Sequence, residues 1–499
     1  MSDFAYERLS QLDRSFLIYE DTGPSGHMHL GATLVYEAEP FKDADGHIDV
    51  ERVRRYVESR LHRMPRYRQR LARIPIEGHP IWVDDEHFNV SYHVRHTRLP
   101  EPGDERQLKR AVGRIQSQRL DRGKPLWELW LVEGVAGDRL AIVSKTHHCM
   151  VDGLSGVDLI SVLMSPEPVD RFDPAPPWLP QPGPTDPELV AAEALRRAKT
   201  PLRAVSGLWR LARGEGNARR ELLERVRATG RFVTPGLLPA SSTPLNQPIG
   251  SYRRFDWLST DLDRVRAVKN RLGGSVNDVV LATVTGALRR FLSESRDVDV
   301  DALDFRVLAP VSLRAEDQRG LPGNRVSAWV VRLPLAERDP RKRFLAVHAT
   351  TEEMKRTRQA LGGELLARLT EYTGSGLFSV GARLAKWARP FNLVVTNVPG
   401  PQVPLYLLGA RLLSAFPMVP LFANLATGIA LFSYDRRLHW GVVADWDVVP
   451  DLHDFTLAIE VSFRELCEAA GLEVRASGAP AARAAPPARE TEDRTQTLR

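Results

Sequence analysis

Two periodicities alternate along the chain. His29 to Tyr36 and Trp127 to Val135 alternate apolar and polar positions, the pattern of strands with one buried face. Leu140 to Thr146 is almost uninterruptedly apolar and partly β-branched, as a fully buried strand is. Val50 to Arg63 and Arg106 to Arg119 instead space their apolar residues three and four apart and predict helices. Gly153 to Met164 does the same through Leu154, Val157, Ile160 and Met164, with Ser155 and Asp158 in capping-box relation. The second half repeats the mixture: a helix over Val276 to Leu292, and strands at Arg306 to Pro310, Ser327 to Leu333, Asn392 to Val398, Gly428 to Tyr434 and Leu438 to Ala444.

Helices and strands thus occur in both halves, which predicts an α/β (α+β) chain of two similar-sized lobes. Prolines cluster from Ser165 to Pro187 and again from Pro235 to Pro248, marking a long, stiff crossover between the lobes. The predicted division is a first lobe over 1–168, a proline-rich and basic helical linker over 169–250, a second lobe over 251–475 and a tail over 476–499. The tail has almost nothing to bury and is predicted to be disordered. No glycine-rich loop follows a strand, so neither a Walker loop nor a dinucleotide fingerprint is present.

Composition agrees with two domains: 499 residues exceed the usual reach of one core, and 43% of them are hydrophobic. Cys149 and Cys467 are too few for a disulfide framework, which favours a reducing compartment. Met1 to Phe16 has no signal-peptide pattern, and no apolar run reaches the roughly 18 residues of a spanning helix. The formal charge of +6 is unevenly placed. Between Arg196 and Arg231 eleven basic residues face three glutamates, with Leu202, Val205, Leu208, Trp209 and Leu211 interleaved. Such a segment is either a cationic amphipathic helix for an anionic lipid surface or a linker helix whose apolar side packs on the body. No nucleic-acid-binding motif accompanies it.

The densest chemistry lies at His147-His148-Cys149-Met150-Val151-Asp152-Gly153. The histidines fall at the end of the buried strand and the aspartate at a helix start. Adjacent side chains on a strand point to opposite faces, so one histidine faces a pocket and the other is structural. An imidazole near its ordinary pKa of about 6.5 suits a general base. Asp152 would hold the loop, and Gly153 would allow a tight backbone. The motif alone also admits a Cys149 thiolate, disfavoured because neighbouring side chains diverge, and a metal site drawing on His27, His29, His147, His148 and Asp152.

The surrounding segments narrow these readings. HHCMVDG resembles the HHxxxDG signature of the CoA-dependent acyltransferase superfamily that includes chloramphenicol acetyltransferase and peptide-synthetase condensation domains. LSQLDRSFLIYED, HMHLGATLVYE, PLWELWLVEG, TPLNQPIGSYRRF, SVNDVVLATVTGALRRFL, PVSLR, GNRVS, NVPGP and VVADWDVVPD follow in the order seen in the bacterial wax ester synthase/diacylglycerol acyltransferase family, over about residues 8 to 455. That resemblance implies two chloramphenicol-acetyltransferase-like lobes with the catalytic loop between them. It implies His148 as general base, His147 as an orienting residue, and Asp152 as structural support, paired with an arginine for which Arg314 is a candidate. Asn277 and Asp278, and Asn397 ahead of a turn, are expected either to line the pocket or to cap and shape local backbone. The implied substrates are an acyl-CoA donor and a diacylglycerol or long-chain alcohol acceptor, with no metal and no bound cofactor. The expected setting is cytoplasmic, peripheral to the inner face of a membrane or to lipid droplets. A lipid-surface binding protein without turnover, and a metal-dependent esterase, are the readings from other classes. In this chain Cys149 stands where the family more often has alanine, and VPLFANLAT lacks the polar, glycine-containing stretch expected before the next strand, which bears on acceptor choice.

Overall fold

The computed structural model describes residues 6–21, 23, 25–150, 162–196, 239–312, 326–356 and 390–473. Asp152, Gly153, Arg314, the basic segment beyond Arg196 and the tail lie outside these residues. The first half comprises β1 (Glu7–Arg8), α1 (Gln11–Asp21), β2 (His29–Glu37), α2 (Val50–Arg60), β3 (Gln69–Arg73), β4 (Pro80–Asp84), α3 (Val90–His93), β5 (Val94–Arg98), α4 (Glu105–Ser117), β6 (Trp127–Val135) and β7 (Arg139–His147). The second comprises β8 (Arg253–Asp261), α5 (Leu262–Leu272), α6 (Val276–Arg290), β9 (Phe305–Ser312), β10 (Val326–Leu333), α7 (Pro340–Arg356), β11 (Leu393–Pro399), β12 (Tyr406–Leu407), β13 (Ala410–Met418), β14 (Thr427–Tyr434), β15 (Arg437–Asp445) and α8 (Leu452–Ala469).

Local chemistry accounts for the element ends. Asp104 and Gln107 form a reciprocal capping box that starts α4, and Asp49 accepts the Arg52 amide to start α2. Gly273, at φ 79°, ends α5 in the left-handed conformation that glycine adopts without penalty. The face of α4 bearing Leu108, Val112 and Ile115 is buried, and each of these side chains contributes roughly 1.5–3 kcal/mol on burial.

The strands form two six-stranded sheets and a small third one. The first sheet runs β12-β13-β2-β7-β6-β5, the second β10-β9-β11-β14-β15-β8, and β1-β4-β3 stand apart. The lobes are therefore not contiguous in sequence: residues 406–418, expected in the second lobe, complete the first sheet by pairing β13 antiparallel to β2. The reason is an open edge. With β7 on its other side, β2 still offers a row of backbone donors and acceptors, and β13 satisfies them.

The lobes share their packing. Leu108, Val112 and Ile115 of α4 belong to the same core as Phe255 and Trp257 of β8 and Trp440 of β15, while Phe432 and Tyr434 of β14 enter the first lobe's core. Two glycines permit the close approach. A Cβ on Gly113 would sit 2.7 Å from the Arg253 carbonyl oxygen, and one on Gly441 would sit 1.8 Å from that of Pro417. Between the lobes runs a crevice lined by His27, His29, Gln116, Arg253, Met418 and Leu421, among others.

Candidate active site

The paired histidines sit where β7 ends. His147 is its last residue, in register with His29 of β2, and its amide donates to the Leu126 carbonyl at 2.9 Å. The chain then leaves the strand in a single 3-10 turn, His148–Met150, and the His148 amide donates to the Met28 carbonyl at 2.7 Å. The end of the strand thereby gives the two side chains different surroundings. His147 is 1% exposed, whereas His148 is half-buried with its Nδ1 covered and without a hydrogen-bond partner among the described residues.

His148 lies against the Phe16 ring of α1, centroids 3.9 Å apart and 23° from parallel. Burial pushes its pKa down to about 4. At neutral pH it is an uncharged imidazole, able to accept a proton. The low value makes it a weaker base than a free imidazole, and in exchange it is almost wholly unprotonated at cellular pH.

His147 has a hydrogen bond on one side and a carboxylate close by on the other. The Cys149 amide donates to its Nδ1 at 3.1 Å, and the Glu20 carboxylate of α1 lies 3.4 Å from its Nε2. Glu20 is itself buried and pairs with Arg122 at 2.5 Å. His29, buried beside them, has its pKa lowered well below the ordinary value, first by burial and then by Lys145. On the crevice side Arg253 donates to the Ser25 carbonyl and, at 2.7 Å, to that of Gly250; burial lowers its pKa to about 10.

The other sequence-predicted residues occupy a different part of the fold. Asn277 and Asn397 meet each other, Asn397 Nδ2 donating to Asn277 Oδ1 at 2.8 Å, which ties α6 to β11. Asp278 is fully buried and completes the capping box with Ser275. It also accepts the Thr351 hydroxyl at 2.7 Å and approaches His348 Nδ1 at 2.9 Å, both on α7. Burial alone would raise its pKa, but hydrogen bonds from Thr351, Ser275 and His348 outweigh that and lower it. No hydrogen bond or ion pair among the described residues links these three to His147 or His148.

The rival chemistries fare differently. Burial drives the Cys149 thiol well above its usual pKa, and a buried neutral thiol is a poor nucleophile. Among the described residues no group of three or more His, Cys, Asp or Glu is arranged to hold a metal ion. Phe16, Glu20 and Arg122 were not singled out from the sequence. The available signal for the first two was a phenylalanine and a glutamate four apart within the family segment LSQLDRSFLIYED, a spacing that puts both on one face of a helix.

Two sheets packed about a crevice, with a histidine turn at the end of a central strand beside it, define the two-lobed fold of condensation-domain and chloramphenicol-acetyltransferase-like proteins. The starter condensation domain of rhizomide synthetase shares it, with a TM-score of 0.56 at 12% identity over 93% of this chain and 94% of that one. The wax ester synthase/diacylglycerol acyltransferase from Marinobacter aquaeolei matches with a TM-score of 0.64 at 29% identity, covering 93% of this chain and 100% of the other. Residues 9–280 match the wax ester synthase/diacylglycerol acyltransferase catalytic domain, and residues 322–467 the C-terminal domain of the same family. A Mycobacterium tuberculosis protein named as a diacylglycerol O-acyltransferase is 33% identical over 477 residues, 93% of this chain and 91% of its own length. A second from that species, tgs1, is 32% identical over 465 residues, 91% and 94% of the two chains. The chain belongs to the wax ester synthase/diacylglycerol acyltransferase family and is an acyltransferase.

Proposed function

We propose that the protein transfers the acyl group of a long-chain acyl-CoA to the free hydroxyl of a diacylglycerol, giving triacylglycerol without a covalent enzyme intermediate. The observation that carries the reading is the neutral imidazole of His148, on the turn that follows β7 and is tied by its amide to Met28, between the crevice residues His27 and His29. His148 takes the hydroxyl proton as the oxygen attacks the thioester carbonyl. The carbon–oxygen bond forms, the carbon–sulfur bond breaks, and the proton passes to the departing CoA sulfur. Asp152 and Gly153 support the loop that carries the base. The stretch Met418 to Leu421 gives the crevice an apolar wall. The relatives named as diacylglycerol acyltransferases favour that acceptor.

A second acceptor, a long-chain alcohol giving a wax ester, is favoured by the bifunctional name of the Marinobacter aquaeolei structure. Purified protein given labelled acyl-CoA with diacylglycerol, hexadecanol or neither separates the two. Triacylglycerol formation well above wax ester supports the first reading, and the reverse overturns it. In either case His148→Ala is expected to lower the rate by about 10² or more, and full activity in that variant would refute the base assignment.

Both acceptors partition into lipid, so the enzyme works at a lipid surface. Among the described residues no helix is long and apolar enough to cross a membrane. The cationic segment between Arg196 and Arg231 supplies the attraction to anionic headgroups. Reversing the charges of Arg210, Arg213, Arg219 and Arg220 is expected to weaken flotation with anionic vesicles; unchanged flotation returns that segment to a linker.

A further inference from the structure

Helix α1 has no part in the chemistry described above, yet two of its residues, one turn apart, each reach a different member of the histidine pair. Phe16 covers His148. Glu20, 4% exposed, points Oε2 at His147 Nε2 (3.4 Å) and Oε1 toward His29 Nε2 (4.0 Å). A carboxylate placed among buried imidazoles needs a countercharge, since an isolated one costs several kcal/mol after relaxation. Arg122 provides it, pairing with Glu20 at 2.5 Å and with Asp21 at 2.7 Å, and donating to the Leu17 carbonyl at 3.3 Å. The same guanidinium therefore neutralises the acid and satisfies the C-terminal end of α1.

The Cys149–His147 hydrogen bond has only one possible direction, and the Glu20 carboxylate faces the other ring nitrogen without hydrogen-bond geometry. The Cys149 amide is only a donor, so His147 Nδ1 is the acceptor and carries the lone pair. A neutral His147 then bears its proton on Nε2, the atom that faces Glu20. Burial alone would raise the pKa of Glu20, but His147 and Arg122 outweigh it and hold the carboxyl well below its usual range. The acid is thus anionic throughout the working pH range. A carboxylate, an imidazole and a backbone amide stand in series, and the amide is the second residue of the turn that starts with His148.

We propose that Glu20, clamped by Arg122, is a positioning residue for the catalytic turn: its carboxylate holds His147 in one tautomer and orientation, and His147, through the Cys149 amide, fixes the turn that aims His148. The inference rests on the reading of His148 as the base. It acts through His147 rather than on substrate, so its loss slows turnover more than it weakens binding.

The experiment is a double-mutant cycle on the full-length protein, reading kcat and KM for acyl-CoA in Glu20→Gln, His147→Ala and the pair, with His148→Ala alongside. Glu20→Gln keeps the shape of the side chain and removes its charge. It is expected to lower kcat by about 10- to 100-fold with KM changed less than about threefold, the range of effects seen when an orienting partner is lost. In the His147→Ala background the same substitution is expected to do almost nothing further. Unchanged kcat in Glu20→Gln, or an equal fold-loss in both backgrounds, overturns the proposal. Should Glu20→Gln not fold, Glu20→Asp, which keeps the charge but withdraws it by one methylene, is read in the same cycle by the same criteria. A fully active His148→Ala would instead remove the base assignment beneath it, whereas an inactive His148→Ala with a normal Glu20→Gln overturns this inference alone.

Discussion

Strands β7 and β15 are built alike and put to different use. Each is nine residues long, starts Arg-Leu, and is buried at every position but the first. Each is the second strand of an antiparallel hairpin in the middle of its sheet. At the end of β15, however, Asp445 has its carboxylate saturated: Oδ2 accepts the Gly250 amide at 2.7 Å, Oδ1 the Asp447 and Val448 amides at 3.0 Å, and Arg253 lies 3.7 Å away. At the end of β7 the chain turns early, and the uncharged ring of His148 has no hydrogen-bond partner for its Nδ1 among the described residues. The lesson is that burial and strand geometry are common to both lobes, and that the two tips differ in whether the polar group there has been satisfied by its own backbone.

The largest expected effect breaks the likeness of the two hairpins outright. His148→Ala should reduce kcat by about 10²–10⁴, whereas His439→Gln, near the start of β15, should leave it within about threefold, because the proposed general base is His148 alone. His439 is also buried and has its pKa lowered to about 3 by burial, so a comparable loss there would show that the two hairpins do not differ in their part in turnover.

Stability should show the opposite ranking. Asp445→Asn removes a charge that buried Arg253 and three amides rely on, and is expected to cost about 3–5 kcal/mol in denaturant unfolding. His148→Ala, at a half-buried ring with no hydrogen bond from its Nδ1, should cost no more than about 2 kcal/mol. A larger stability loss at His148 than at Asp445 would overturn the division between an active and a structural tip.

Acid sensitivity sharpens the comparison further. His27, His79, His93 and His148 of the first lobe all have pKa values lowered to about 4 by burial. Between pH 6.5 and 4 the unfolded chain binds protons at these sites that the native protein does not, so stability falls as pH drops through that window. Each such histidine contributes roughly 1.4 kcal/mol per unit of pKa difference. The unfolding midpoint should therefore fall steeply below pH 6.5 and level off near pH 4 as far as these groups are concerned. A midpoint flat from pH 7 to 4.5 would mean that the rings titrate normally. The smallest effect is expected at Asn397→Ala, which should cost about 1 kcal/mol by freeing α6 from β11 and leave kcat within about twofold. A raised acceptor KM in that variant would instead assign Asn277 and Asn397 to the pocket.

Much of this was legible from residue order. The strands predicted around the histidines and in the second half coincide with β2, β6, β7, β9, β10, β11, β14 and β15 to within two residues at either end. The helix predicted from Val50 ends at Arg60, its last residues tightening into a 3-10 turn over Leu61–Arg63, and that from Val276 gives way to a π turn over Phe291–Ser295. The placement of β13 was not legible, because alternation states which face of a strand is buried and leaves its partner open. Nor was the role of α1: Glu20 and His147 are far apart in the chain, and only folding brings a carboxylate onto that imidazole.

Periodicity and order of residues were enough to specify two α/β lobes, a buried strand ending in paired histidines, and membership of an acyltransferase family. These properties are local, or written in an ordered string of segments, and survive without coordinates. Tertiary structure alone decided which histidine is fully buried and which is half-buried, that an acid and a phenylalanine on one helix lie against the two of them, and that a strand from the second half closes the first sheet. Each of those depends on burial and on contacts between distant residues, and it is burial that lowers the His148 pKa to about 4.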